Sequence, residues 1–224
     1  HGRLVLFFLG SVAALTLSVA SAEENFKEKP LPSVKLASTE LFDAKRLRRY
    51  VHIELKRPHR VHSTSSFNGG EQLGIQHLVN HQSMEASSDN ARFEKILSLS
   101  AEQYHEEVAG ELNIKPRAMA LMGTAANMNH TAHVRHEFRG LTVDVFVTAG
   151  VRGNAMRAGD EAHWFEGDSG NEFVAHKGTI NTVLLVNKPL LPGAQAKAVM
   201  VMVEAKSAAL TELAIASKSS SHMA

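Results

Sequence analysis

In the segment 145–160, "VFVTAGVRGNAMRAGD", five residues that read as a buried strand precede eleven that are mostly small or polar. Thr148, Gly150, Gly153 and Asn154 then stand at a strand end, where ligand sites commonly form. Arg152 and Arg157 can fork onto a carboxylate or phosphate, and Asp160 can accept a hydrogen bond or act as a base. A plain turn needs fewer exchangeable groups, so the segment is expected to bring backbone close to a ligand.

Other stretches carry related chemistry. In "SSFNGG" (65–70), Gly69 and Gly70 can offer backbone N–H groups to a carbonyl or phosphate, and Asn68 adds an amide that both donates and accepts. The alternative is a simple turn. Asn80-His81 supplies an imidazole whose weight depends on whether it faces the same cleft as the other motifs. In "LMGTAANM" (121–128), Thr124 and Asn127 are the polar side chains among small and apolar ones, able to bond a substrate amide. "GTIN" (178–181) places Asn181 beside a strand, and "EAKSAAL" (204–210) carries Glu204 and Lys206. On a helix those two point about 200° apart, so they do not share one face. His130, His133 and His136 have an apparent metal-ligand spacing, but on a strand His133 and His136 face opposite sides, so no metal site is expected.

The surrounding pattern indicates what must position these groups. Tyr50–Lys56 alternates as a strand, Pro58 breaks it, and residues 60–66 can resume. Ser100 and Gln103 form a capping-box pattern opening a helix to about Leu112, with Asn113 as its stop. Residues 132–151 read as two strands joined at Arg139-Gly140, and 176–190 as another strand. The Ala-rich run 193–215 reads as a long, mostly buried helix. The order predicts one α/β (α+β) domain with a mixed, partly antiparallel sheet packed by helices.

The chain has 224 residues and 44% hydrophobic content, enough for such a core. Lys and Arg number 24 against 23 Asp and Glu, which argues against a nucleic-acid partner. The absence of Cys excludes disulfides and thiolate chemistry. Arg3, the apolar run Leu4–Leu17 and the small-x-small triplet Ala20-Ser21-Ala22 form a secretory signal pattern over 1–22. Export to the periplasm or medium is therefore expected, with no stable membrane span once the signal is removed. Residues 23–49, with Pro30 and Pro32, read as a linker or N-terminal extension.

Taken in order, the blocks 65–70, 80–81, 121–125, 148–151, 154–155, 157–160, 178–181 and 204–210 resemble the adenosylcobinamide amidohydrolase family of corrinoid salvage. The likeness covers roughly 50–224. It implies hydrolysis of the amide joining an aminopropanol arm to the corrin ring, giving adenosylcobyric acid and aminopropanol. The corrinoid is then substrate, and no cofactor is expected. Under that resemblance His81, Glu204 and Thr124 are candidate catalytic groups. Asn68, Gly69, Gly70, Thr148, Asn154, Asp160 and Asn181 are candidate substrate contacts. Family members continue with a Thr- and Gly-rich segment, so 50–224 is expected to be such a domain cut short. A self-cleaved form leaving an N-terminal Thr nucleophile is the second possibility, and a secreted corrinoid-binding protein without hydrolysis is the third.

Overall fold

The computed structural model describes residues 4–5, 31–65, 67–83, 95–96, 98–151, 155–161, 164–167, 170–173, 179–218 and 220–224. The strands in chain order are β1 (Leu4–Val5), β2 (Val34–Ser38), β3 (Phe42–Leu47), β4 (Tyr50–Ser63), β5 (Gly70–Gln82), β6 (Met119–Thr124), β7 (Ala132–Phe138), β8 (Leu141–Ala149), β9 (Trp164–Gly167), β10 (Gly170–Phe173) and β11 (Ile180–Val186). Two α-helices lie wholly within the described residues, α1 (Ala101–Leu112) and α2 (Pro192–Glu212). One sheet runs β2-β3-β4-β5-β6, with β1 alongside β4, and another runs β11-β8-β7. The β5–β6 and β1–β4 pairs are parallel and the others antiparallel, so the expected mixed α+β architecture holds.

Strand alternation sorts the side chains into layers. On β5, Leu78 turns toward the smaller sheet, where it joins a core with Ile53, Phe146 and Leu185. Its neighbour Val79 turns the other way, to Val108 and Ala109 of α1. On β8 and β11, Val143, Val145, Leu184 and Val186 pack against Ala198 of α2. The order of layers is therefore helix, large sheet, small sheet, helix. An edge-to-face pair, Phe42 on Phe146 with ring centres 5.7 Å apart, joins the two sheets.

Local chemistry explains where elements start and stop. The Ser100 side chain accepts from the Gln103 backbone N–H, and the Gln103 side chain reaches back to the Ser100 N–H. Asn113 ends α1 in the left-handed conformation, at φ 55°. The β7–β8 turn puts Arg139 at φ 49° and Gly140 at φ 75°, the geometry that two-residue hairpins favour.

Some expectations need correcting. Residues 34–47, read as part of an extension, form β2 and β3 inside the large sheet. Pro58 does not divide β4, because it falls where the pairing register shifts between Glu54 and His59, and a bulge tolerates a residue without N–H. At the second shift, between His59 and Val61, Gly74 of β5 takes φ 78°. The segment 68–70 leads directly into β5, which begins at Gly70. Helix α2 is not mostly buried: Gln195 and Ala198 are its buried residues, while Val199, Met200 and Val203 are exposed.

Candidate functional site

Asn80, Thr124, Thr148 and Asn181 come from four strands or strand ends and meet between the two sheets. Asn80 is on β5, one step beyond Val79, and so faces the small sheet. Thr148 and Asn181 are direct cross-strand partners on β8 and β11. Their side chains form a directed chain. The Asn181 Nδ2 donates to the Gly123 carbonyl at 3.0 Å and to Asn80 Oδ1 at 2.9 Å. The Asn80 Nδ2 in turn donates to Thr148 Oγ1 at 2.8 Å.

The orientation of this chain is fixed by chemistry. A backbone carbonyl can only accept, so it is Asn181's NH2 that faces Gly123. Asn80 must then present its oxygen to Asn181 and its NH2 to Thr148, which acts as an acceptor. Two groups are left over among the described residues. The Thr148 hydroxyl proton has no acceptor, and Asn181 Oδ1 has no donor. An O–H donor beside a carbonyl acceptor is the complement of an amide, whose C=O accepts and whose N–H donates. Thr148 is 1% exposed and Asn80 5% exposed, so a hydrogen bond made here is little diluted by water.

Thr124 is differently engaged. Its Oγ1 accepts from Thr179 Oγ1 at 2.6 Å and from the Ala126 N–H at 3.0 Å. With both lone pairs occupied, it is poorly placed to attack a carbonyl. Gly150 donates its N–H to the Thr179 carbonyl at 2.9 Å, extending the β8–β11 ladder past its last pair.

The hairpin tip joining β4 to β5 lies along the free edge of β6. Ser65 Oγ donates to the Leu121 carbonyl there, two residues from the Gly123 carbonyl that Asn181 occupies. Phe67 meets His105 of α1 at a ring distance of 5.2 Å. Asn68, at φ 53°, and Gly69 and Gly70 are exposed beyond these anchors. A Cβ on Gly69 would lie 2.5 Å from the Ser65 carbonyl oxygen, so the tip closes only around a glycine.

His81 points the opposite way from Asn80. It is fully buried on the α1 side, stacked on Tyr50 at 4.6 Å and sharing a 2.7 Å hydrogen bond between Nδ1 and the Tyr104 hydroxyl. The two residues therefore do not share a cleft. His81 holds the end of β5 in place on one face while Asn80 works on the other. Glu204 is exposed on α2, with no hydrogen bond or ion pair to the cluster. Asp160 accepts from the Arg157 N–H at 2.9 Å and from Ser217 Oγ at 2.6 Å. The Arg157 backbone N–H first, and then the Ser217 and Ser220 hydroxyls, pull its carboxyl down to about 2. A carboxylate so held is a poor base, and its visible work is to fasten the segment 215–224. Asn154, Arg152, Gly153 and Gly178 lie outside the described residues.

Of the spaced histidines, His133 shares a 2.9 Å contact with the buried Asp144 and stacks on Phe146, while His136 is exposed. No group of three or more His, Asp or Glu able to hold a metal occurs among the described residues. No described helix is long and apolar enough to cross a membrane. Asn80, Tyr104, Thr179 and Gly123 escaped the sequence reading as site residues. Thr179 and Gly123 stand inside motifs quoted for other residues, whereas Tyr104 has no local signal, because its role depends on α1 docking beside β5.

Residues 34–224 match the adenosylcobinamide amidohydrolase family. The chain belongs to that family. The strands carrying the amide-complementary cluster all fall within the matched region. A protein of Methanocaldococcus jannaschii described as uncharacterized is 37% identical over 127 residues, an alignment taking in 51% of this chain and 48% of that protein. The chain thus spans about half the length of the curated relative it matches. No solved structure matches it.

Proposed function

We propose that this member of the adenosylcobinamide amidohydrolase family hydrolyses the amide joining the aminopropanol arm to the corrin ring. The observation that carries this reading is the pair left open at the cluster, the Thr148 hydroxyl proton and Asn181 Oδ1. Thr148 would donate to the scissile carbonyl oxygen and Asn181 would accept from the scissile N–H. As water adds to the carbonyl carbon, charge grows on the oxygen that Thr148 holds, and that bond strengthens most in the transition state. The C–N bond then breaks, the amine departs with a proton, and a carboxylate remains on the corrin. The Asn80–Asn181–Gly123 chain keeps both groups aimed before the substrate arrives, which avoids reorganisation during reaction.

His81 acts in this scheme as a positioning residue, through Tyr104 and the end of β5. The corrinoid is substrate, and the steps above draw on no cofactor. The apolar segment and small-x-small triplet within 1–22 support action outside the cytoplasm. N-terminal sequencing of the protein from culture fractions tests that part, and an intact residue 1–22 segment on soluble cytoplasmic protein contradicts it.

The activity is tested by incubating the full-length protein with adenosylcobinamide and following corrinoid mass by liquid chromatography and mass spectrometry. Conversion to adenosylcobyric acid, with release of aminopropanol, is expected. An unchanged corrinoid mass under saturating protein overturns the reading.

A further inference from the structure

Two residues along the strands from the amide-complementary cluster lies a mostly apolar space of about 180 Å³. Leu78, Met122 and Val183 form part of its wall. They stand two residues from Asn80, Thr124 and Asn181 respectively on the same strands, an offset of about 6.6 Å along an extended chain. Ala120 contributes the smallest side chain of that wall, and Val199 and Met202 of α2 close the outer side. The hydroxyls of Thr64 and Thr182 also line the space and have no partner among the described residues.

The size and chemistry of the space select its occupant. Pockets that enclose a drug-sized ligand measure about 300–1,000 Å³. A flat macrocycle cannot enter one of 180 Å³, but a short branched arm can. The walls suit a methyl group, and the unpartnered hydroxyls suit an alcohol.

We propose that this pocket seats the aminopropanol arm, so that arm recognition resides in Ala120, Val199, Met202 and Thr182. The proposal rests on the amidase reading for the identity of the amide. Its geometry is separate, because the pocket lies one strand repeat away from the groups that hold the scissile bond. The corrin stays outside, at the mouth bounded by the β4–β5 hairpin tip and α2.

The test compares binding of adenosylcobinamide and of armless adenosylcobyric acid, by rapid filtration at times short against turnover, to the full-length wild-type protein and to two filling variants. Ala120→Leu fills the pocket from the sheet. Val199→Trp fills it from the partly exposed helix side, where a folding defect is not expected. Both variants are expected to weaken adenosylcobinamide at least tenfold while leaving adenosylcobyric acid within about threefold. If only Ala120→Leu fails to fold, Val199→Trp decides. Unchanged adenosylcobinamide affinity in the folded variants overturns the proposal, as does an equal loss for both corrinoids or no corrinoid binding by wild type. The corrinoid mass is read in the same wild-type samples. Arm-selective loss without hydrolysis supports the pocket and rejects the amidase reading, whereas hydrolysis without arm-selective loss does the reverse.

Discussion

Thr148 is one methyl and one hydroxyl on a buried strand face, and its importance comes from what its oxygen already accepts. Because Asn80 donates to it, its own proton is left to give. Thr148→Val keeps the shape and removes that proton. Steady-state turnover of adenosylcobinamide is expected to fall about 100- to 1,000-fold, the usual effect of losing one oxyanion donor. Thr148→Ser is expected to retain most of it. The sequence made Thr124, Thr148 and Asn181 visible as polar candidates and Asn80 only as the neighbour of His81. It could not assign them to one side of a strand, so His81 was indistinguishable from its neighbour Asn80 as a cleft residue. One step along a strand reverses the facing, and only the packing of α1, through Tyr104, on His81 and Tyr50 reveals which of the two faces the small sheet.

At the scale of elements, β6 joins α1 to the site. A Cβ on Gly123 would lie 2.9 Å from the Tyr104 hydroxyl. Gly123→Ala therefore has to push Tyr104 away and disturb the Tyr104–His81 bond. A cost of about 1–3 kcal/mol is expected. Tyr104→Phe removes the clashing oxygen, so the double variant is expected to lose less stability than the two single losses added together. Chemical denaturation of the four proteins measures this, and strict additivity contradicts it. The helix α1 and the β7–β8 hairpin were legible because their signals are local, in a capping box and a two-residue turn. Strands β5 and β6 were not. Both are interrupted by polar or small residues that serve the site, which blurs the alternation on which strand reading depends. Helix α2 was found, but its burial was overestimated, since composition alone does not reveal that its outer face remains exposed.

At the scale of the molecule, stability depends on groups outside the cluster. His52, 5% exposed, shares a 3.0 Å contact with His77 across β4 and β5. Burial first, then the charges of His77 and Lys45, lower its pKa from 6.5 to about 4. The unfolded chain therefore takes up this proton more readily than the folded one. Stability is expected to hold above pH 6.5 and to fall as the pH drops from there toward about 4. Melting temperature against pH measures the slope, and His52→Gln is expected to reduce it; an identical slope in the variant contradicts the assignment. Asp160 has a dependence of the same sign in a lower pH window. Its hydrogen bonds favour the carboxylate, so their contribution is present above about pH 3.8 and lost as the pH falls toward 2. Asp160→Ala is expected to speed hydrogen exchange in 215–224 at neutral pH, without the same increase in β5.

The central claim is that the Thr148 hydroxyl serves the scissile amide. The most direct measurement follows conversion of adenosylcobinamide by wild type, Thr148→Val and Thr148→Ser at equal folded concentration, with corrinoid affinity read alongside. Conversion by wild type and the serine variant, and a loss of at least about 100-fold in the valine variant with affinity largely kept, is the predicted result. Equal turnover by the valine variant and wild type would contradict it.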